Sequence, residues 1–152
     1  MNNPQWETTV TNACNQTHPG TGIVLLMPEY RPDICRAIAV SIGAKFFDFR
    51  REVMQELKML AHQVTLEELT KTLSEESDKG DALAFNVESL LSIKPEAERQ
   101  QWLDEFMSKK WRNRVLLPLA IFQHEVSSTQ SNTIDLQNYS FHEQTLISRL
   151  AM

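Results

Sequence analysis

The sequence predicts an α/β fold, a three-layer arrangement in which a parallel sheet of about five strands is flanked by helices. Two observations carry this prediction. Short apolar runs, such as Gly22-Ile23-Val24-Leu25-Leu26-Met27 and residues 114–122 (RVLLPLAIF), lack the alternation of a half-exposed strand and read as strands covered on both faces. Between them lie stretches of helical period, in which Ile34, Ala37, Ile38, Ser41 and Ile42 fall on one face. A length of 152 residues, 41% of them hydrophobic, is enough for one domain with its own core.

Residues 1–21 are rich in Asn, Thr and Gln and read as a polar lead-in, partly ordered by Trp6 and ended by the Pro19-Gly20 turn. Residues 22–152 read as the single domain. Pro28 stops the first strand, and residues 29–32 form a polar turn. Asp33 is placed to N-cap the first core helix, and Gly43 to end it. Lys45-Phe46-Phe47-Asp48-Phe49 predicts the second strand, and Val53, Met54, Leu57, Met59, Leu60 and Ala61 a helix after it. Thr65-Leu66-Glu67-Glu68 has the pattern of a capping box opening a further helix, which Gly80 closes. Residues 81–87 predict the third strand.

Pro95 suits a first helical position, followed by a buried stripe of Trp102, Leu103, Phe106 and Met107. Residues 114–122 predict the fourth strand. Pro118 has no N–H to give a ladder, so a bulge or a strand end is expected there. A loop over 127–132, a short fifth strand over 133–137 and a terminal helix over 142–150 complete the reading.

Composition excludes several classes. No apolar stretch approaches the ~20 residues of a membrane span, so no membrane partner is expected. Cys14 and Cys35 are too few for a disulfide framework or a zinc site. The first residues, MNNPQWETTV, lack the features of a secretory leader, and a cytoplasmic protein with reduced cysteines is expected. His18, His62 and His142 show no metal spacing, and no metal site is expected. A net charge of −5 opposes a broadly nucleic-acid-coating surface but leaves room for a local basic patch.

The first strand-turn-helix unit is where a parallel sheet places its chemistry, at the carboxyl ends of the strands. The pattern to test there is the phosphate-cradling loop G-x-x-x-x-G-K-[S/T]. In its place stands Pro28-Glu29-Tyr30-Arg31-Pro32-Asp33-Ile34-Cys35. Pro28 and Asp33 replace the two glycines, Ile34 the lysine, and Cys35 the magnesium-binding hydroxyl. The two prolines remove amides that a phosphate nest needs, and Asp33 and Glu29 put negative charge where a triphosphate would lie. None of the four glycines of the chain falls in this stretch.

The third strand repeats the pattern of loss. Where a nucleotide-hydrolysing domain of this kind ends an apolar strand on a magnesium-holding acid, the chain reads Leu83-Ala84-Phe85-Asn86-Val87-Glu88, with a neutral Asn86 and Glu88 displaced by two residues. Glu88 reads either as a surviving base or metal ligand, or as a cap or surface residue. Gln123, His124 and Glu125 follow the fourth strand, where a polar sensor would stand.

With this order of elements, residues 22–126 resemble the core of a P-loop NTPase, most like the AAA-type branch, without room for its helical lid domain. In length, layout and the NVESLLSIKPEAERQQWL segment the chain is also similar to the small P-loop-like proteins of type 3 BREX phage-exclusion systems. The resemblance implies a degenerate nucleotide site made of Pro28, Arg31, Asp33, Ile34, Cys35, Asn86 and Glu88, no catalytic residues and no cofactor. It also implies a role among other defence-system proteins, alongside a large ATPase and a DNA methyltransferase. The leading expectation is a pseudo-NTPase that serves as an assembly or regulatory subunit.

Two alternatives stay open. One is a DNA-binding subunit, within a homo-oligomer, that uses Lys109, Lys110, Trp111, Arg112 and Arg114, with Trp111 stacking on a base. The same cluster also reads as cations at a helix C-terminus, with Trp111 packed under the sheet. The other is an ATPase that binds ATP and magnesium in an altered way, or that lends Arg31 or Arg112 to a neighbour's site.

Overall fold

The computed structural model describes residues 5–55, 63–126 and 132–139. Five strands form one all-parallel sheet in the order β2-β3-β4-β1-β5, with helices on both faces. The strands are β1 (Gly22–Leu26), β2 (Lys45–Asp48), β3 (Ala82–Phe85), β4 (Val115–Leu119) and β5 (Thr133–Asp135). The helices are α1 (Gln5–Gln16), α2 (Pro32–Ile42), α3 (Leu66–Lys79), α4 (Glu88–Leu91) and α5 (Glu96–Ser108), with a π-helical turn at Arg50–Gln55. Among the described residues no helix is long and apolar enough to cross a membrane.

β1 is buried along its whole length, which is why its sequence is continuously apolar. Its side chains alternate between two cores. Val24 and Leu26 pack with α3, α4 and α5, through Leu69, Leu90 and Phe106. Ile23, Leu25 and Met27 pack with α1 and α2, through Trp6, Val10, Ile34 and Ile38. The chain therefore passes over one face between β1 and β2 and over the other between β2 and β4.

The lead-in is more ordered than its composition predicts. It carries the twelve-residue helix α1, held by Trp6, Val10 and Cys14 at four-residue intervals, all buried. Three apolar groups on an otherwise polar helix suffice because α2 and β5 supply the opposing surface.

The start of α2 also differs from expectation. Arg31 occupies the capping position without a side-chain cap bond, Pro32 enters the first turn, and Asp33 lies inside it. The fixed φ of proline suits that place. Gly43 ends α2 as expected: with φ of 73° its amide and that of Ala44 reach back to the carbonyls of Val40 and Ala39. Thr65 and Glu68 form the expected capping box, each side chain taking the other's amide. Pro95 stands at the capping position of α5 rather than inside it.

Pro118 lies within β4, paired with Leu25 of β1. By strand alternation its nitrogen points toward β3, and the β3–β4 ladder ends at Leu116, two residues earlier. The missing donor thus marks where one ladder stops while the other continues. The helix read over 53–61 is described only in its opening turn. The loop read over 127–132, apart from Asn132, lies outside the described residues, as do the terminal helix over 142–150, His62 and His142.

Gly22 sets how closely α5 and the α5–β4 connection approach the sheet. A Cβ there would lie 2.4 Å from the Phe106 carbonyl oxygen and 3.0 Å from the Trp111 indole nitrogen. We expect Gly22→Ala to destabilise the fold by about 2–3 kcal/mol in urea unfolding. Gly43→Ala, with open space around its Cβ, carries only the left-handed backbone cost of about 1 kcal/mol. Equal losses at the two positions would contradict this packing role.

Candidate functional site

The connection leaving β1 crosses to β2 on one face, while that leaving β4 passes β1 to reach β5. The neighbouring strands β4 and β1 therefore send their chains opposite ways at their carboxyl ends, and a crevice opens between them. The structure has a cleft of about 260 Å³ at this place, lined by Met27, Arg31, Asn86, Glu88 and Pro118 among others. Tyr30 and Ile121 stand at it, two of the four exposed large apolar side chains among the described residues. A wider groove of about 520 Å³ between α3 and α5 collects solvated helix side chains such as Glu67, Glu98 and Glu105, and lies away from the strand ends.

Of the degenerate-site residues from the sequence reading, Arg31, Cys35, Asn86 and Glu88 line this cleft, while Pro28, Asp33 and Ile34 are not among its lining residues. The loop after β1 is electrostatically closed on itself. Arg31 donates from Nη1 to Glu29 (2.8 Å) and from Nε to Asp33 (3.3 Å). Burial opposes the Arg31 charge, but the hydrogen bonds and attraction of Glu29 and Asp33 outweigh it and raise its pKa. Arg31 is thus paired with acids of its own loop. Asp33 Oδ1 also accepts the Ile34 amide (2.9 Å), and the Cys35 amide bonds the Arg31 carbonyl (3.1 Å). The Ile34 and Cys35 amides of the first turn of α2 are thus taken up within the chain.

Glu88 is neither a surface residue nor a cap on its own helix. It is buried, and its carboxylate accepts three consecutive amides from the connection after β4. Ala120 donates to Oε1 at 2.7 Å; Ile121 and Phe122 donate to Oε2 at 2.8 and 2.9 Å. Asn86 makes this reach possible. Its φ of 66° turns the chain sharply out of β3 into the four-residue helix α4, and asparagine tolerates that conformation better than most residues.

The Asn86 side chain joins three strand ends. Its Nδ2 donates to Asp48 (3.0 Å), at the end of β2, and its Oδ1 accepts from the Tyr30 hydroxyl (3.0 Å). Asp48 and Tyr30 were not singled out by the sequence reading; a polar residue ending the apolar run KFFD was the available signal.

Beyond the cleft, Glu125 is paired with Arg99 in a two-pronged ion pair of 2.6 and 3.0 Å, both side chains largely buried. Arg99 stacks on Phe122 at 4.0 Å. The hydrogen bond from Arg99 outweighs burial and lowers the Glu125 pKa. His124 is exposed, 3.9 Å from Glu125, and takes no part in the cleft. Gln123 donates to the Met27 carbonyl (3.1 Å), fastening the connection after β4 to the end of β1.

The basic cluster stands elsewhere, between α5 and the start of β4. Trp111 is not free to stack on a base: it is 6% exposed, it packs against Phe106, and its indole N–H donates to the Phe106 carbonyl. Lys109, Lys110 and Arg112 are exposed, while Arg114 pairs with Asp81 at 3.2 Å. Among the described residues no group of three His, Cys, Asp or Glu side chains is arranged to hold a metal. Comparison of the chain with family profiles, curated proteins and solved structures finds no match. Fold and geometry therefore define an α/β domain with a switch-point cleft closed by its own carboxylates.

Two outcomes follow for the cleft. Glu88→Gln brings an NH2 group toward three N–H donors and should cost about 3 kcal/mol of stability in urea unfolding; a loss below about 1 kcal/mol would contradict the nest. Cys35 is buried, and burial, aided by Asp33 and Glu88, pushes its thiol pKa up to about 12. Folded protein at pH 7–9 should therefore leave Cys35 unlabelled by a thiol reagent, without the rise in rate that a free thiol shows across that range. Rapid labelling at Cys35 would contradict its placement.

Proposed function

We propose that this chain is a non-catalytic, P-loop-NTPase-like domain that serves as an assembly or regulatory subunit, in an anti-phage defence complex of the BREX kind. The carrying observation is that carboxylates of the protein take up the arginine of the loop after β1 and the amides after β4, leaving Arg50 of the π-helical turn as the lining cation with no ion pair among the described residues. Arg31 is held between Glu29 and Asp33, and Asp33 also takes the Ile34 amide. Glu88 takes the three amides after β4. A triphosphate entering here would meet Glu29, Asp33 and Glu88 against Arg50 alone, a balance opposed to phosphate binding.

The arrangement of the strand ends supports the same reading. β1, with the altered loop, lies next to β4, and β3, with neutral Asn86, lies on the other side of β4. These are the places where such a domain would keep its phosphate loop, sensor and metal acid. The scaffold is retained while the charges are reversed, which suits a subunit that docks among working ATPases without turning over nucleotide. The defence setting rests on the likeness in length, layout and the 86–103 segment.

Calorimetric titration of the full chain with ATP and magnesium should give no binding heat up to about 1 mM nucleotide, a free energy of association weaker than about −4 kcal/mol. Micromolar binding would overturn the proposal.

A further inference from the structure

The edge of the sheet opposite the cleft has the reverse electrostatics. Backbone hydrogen bonds run along it in series: Lys45 N–H to the Asp81 carbonyl, Ala82 to Arg114, and Val115 to Thr21. They bring the amino ends of β2, β3, β4 and β1 side by side, over three strand intervals or about 14 Å. Lys45, Lys79, Lys109, Lys110, Arg112 and Arg114 all belong to this edge.

Acids already satisfy half of these cations. Lys45 and Lys79 share Glu76, at 2.9 and 3.2 Å, and Arg114 holds Asp81. Lys109, Lys110 and Arg112 form no ion pair among the described residues; Lys109 rests over the Trp111 ring at 5.3 Å. Their backbone is firmly placed: the Trp111 amide donates to Gly20 (2.8 Å), and Asn113 is bonded to Ser77 through both its amide and its side chain. Three unneutralised cations are thus presented on a fixed connection, in a chain whose net charge is −5.

We propose that this edge binds the phosphate backbone of duplex DNA through Lys109, Lys110 and Arg112. Its composition favours that partner over a protein. Protein interfaces centre on exposed apolar groups, and the large exposed apolar side chains among the described residues, Tyr30, Val40, Ile93 and Ile121, are none of them in this connection. Duplex is favoured over single strand because Trp111, the aromatic of the cluster, is buried with its N–H committed, leaving no stacking platform. Contacts of this kind position a subunit without reading sequence. The inference uses none of the cleft residues, so it stands or fails separately from the nucleotide result.

The test is fluorescence anisotropy of a labelled 20-base-pair duplex with the full chain between 50 and 200 mM salt. Three phosphate contacts predict a dissociation constant on the order of 10–100 µM at the low end and about 40-fold weakening across the range, a log–log slope near −2.7. Lys109→Ala, Lys110→Ala and Arg112→Ala combined should weaken binding at least about tenfold at 50 mM salt and flatten the slope, with the thermal midpoint unchanged because all three side chains are exposed. Absence of binding by the wild-type chain, equal binding by the triple variant, tighter binding of single-stranded DNA, or equal binding of polyglutamate would each overturn the assignment.

Discussion

When β4 ends at Leu119 the chain turns away from the sheet, and in doing so it points the amides of Ala120, Ile121 and Phe122 at one place. Amides withdrawn from water without an acceptor cost about 1–3 kcal/mol each, so this turn needs a negative group in front of it. Glu88 supplies it from the neighbouring strand connection. The path of the chain from β4 toward β5, the wall of the cleft and the position of Ile121 all follow from that contact. Arg99 and Glu125 continue the same anchoring a few residues on, with Arg99 stacked over Phe122. A connection that looks like a loop in sequence is pinned from α4 and α5 together.

The two edges of the sheet have opposite characters. At the carboxyl edge, acids close in on Arg31 and on the amides after β4, and Asn86 ties Tyr30 to Asp48 across three strand ends. At the amino edge, pairing stops after Glu76 and Asp81, leaving the cations at 109, 110 and 112 to solvent. A parallel sheet gathers its connections into two sets separated by the length of the strands. A chain of net negative charge can therefore carry an anion-repelling face and an anion-attracting one with little cross-talk at physiological salt.

The features legible in the sequence were those set by local chemistry. Continuous apolar runs gave the strands because burial on both faces leaves no polar position. Thr65, Glu68 and Gly43 marked helix ends because caps act over three or four residues. Of the degenerate residues, Arg31, Cys35, Asn86 and Glu88 line one cleft. The features that escaped depend on contacts between distant segments. α1 reads as polar until α2 provides the surface for Trp6, Val10 and Cys14. The role of Glu88 lies 32 to 34 residues away in sequence. The packing of Trp111 is one of two readings of its cluster, and Phe106 and the first strand decide for it. Pro118 sits inside a strand because only one of its two ladders extends that far.

The claim on which the rest turns is that a resident carboxylate occupies the amide nest of the cleft. Native-state hydrogen exchange at the Ala120, Ile121 and Phe122 amides reports on it directly. All three should be protected as a group in the wild-type chain, and Glu88→Ala should expose them by at least about 100-fold in exchange rate relative to the β1 and β4 ladder amides, equivalent to about 2.7 kcal/mol. Fast exchange at these amides in the wild-type chain, or unchanged protection after removal of Glu88, would contradict it.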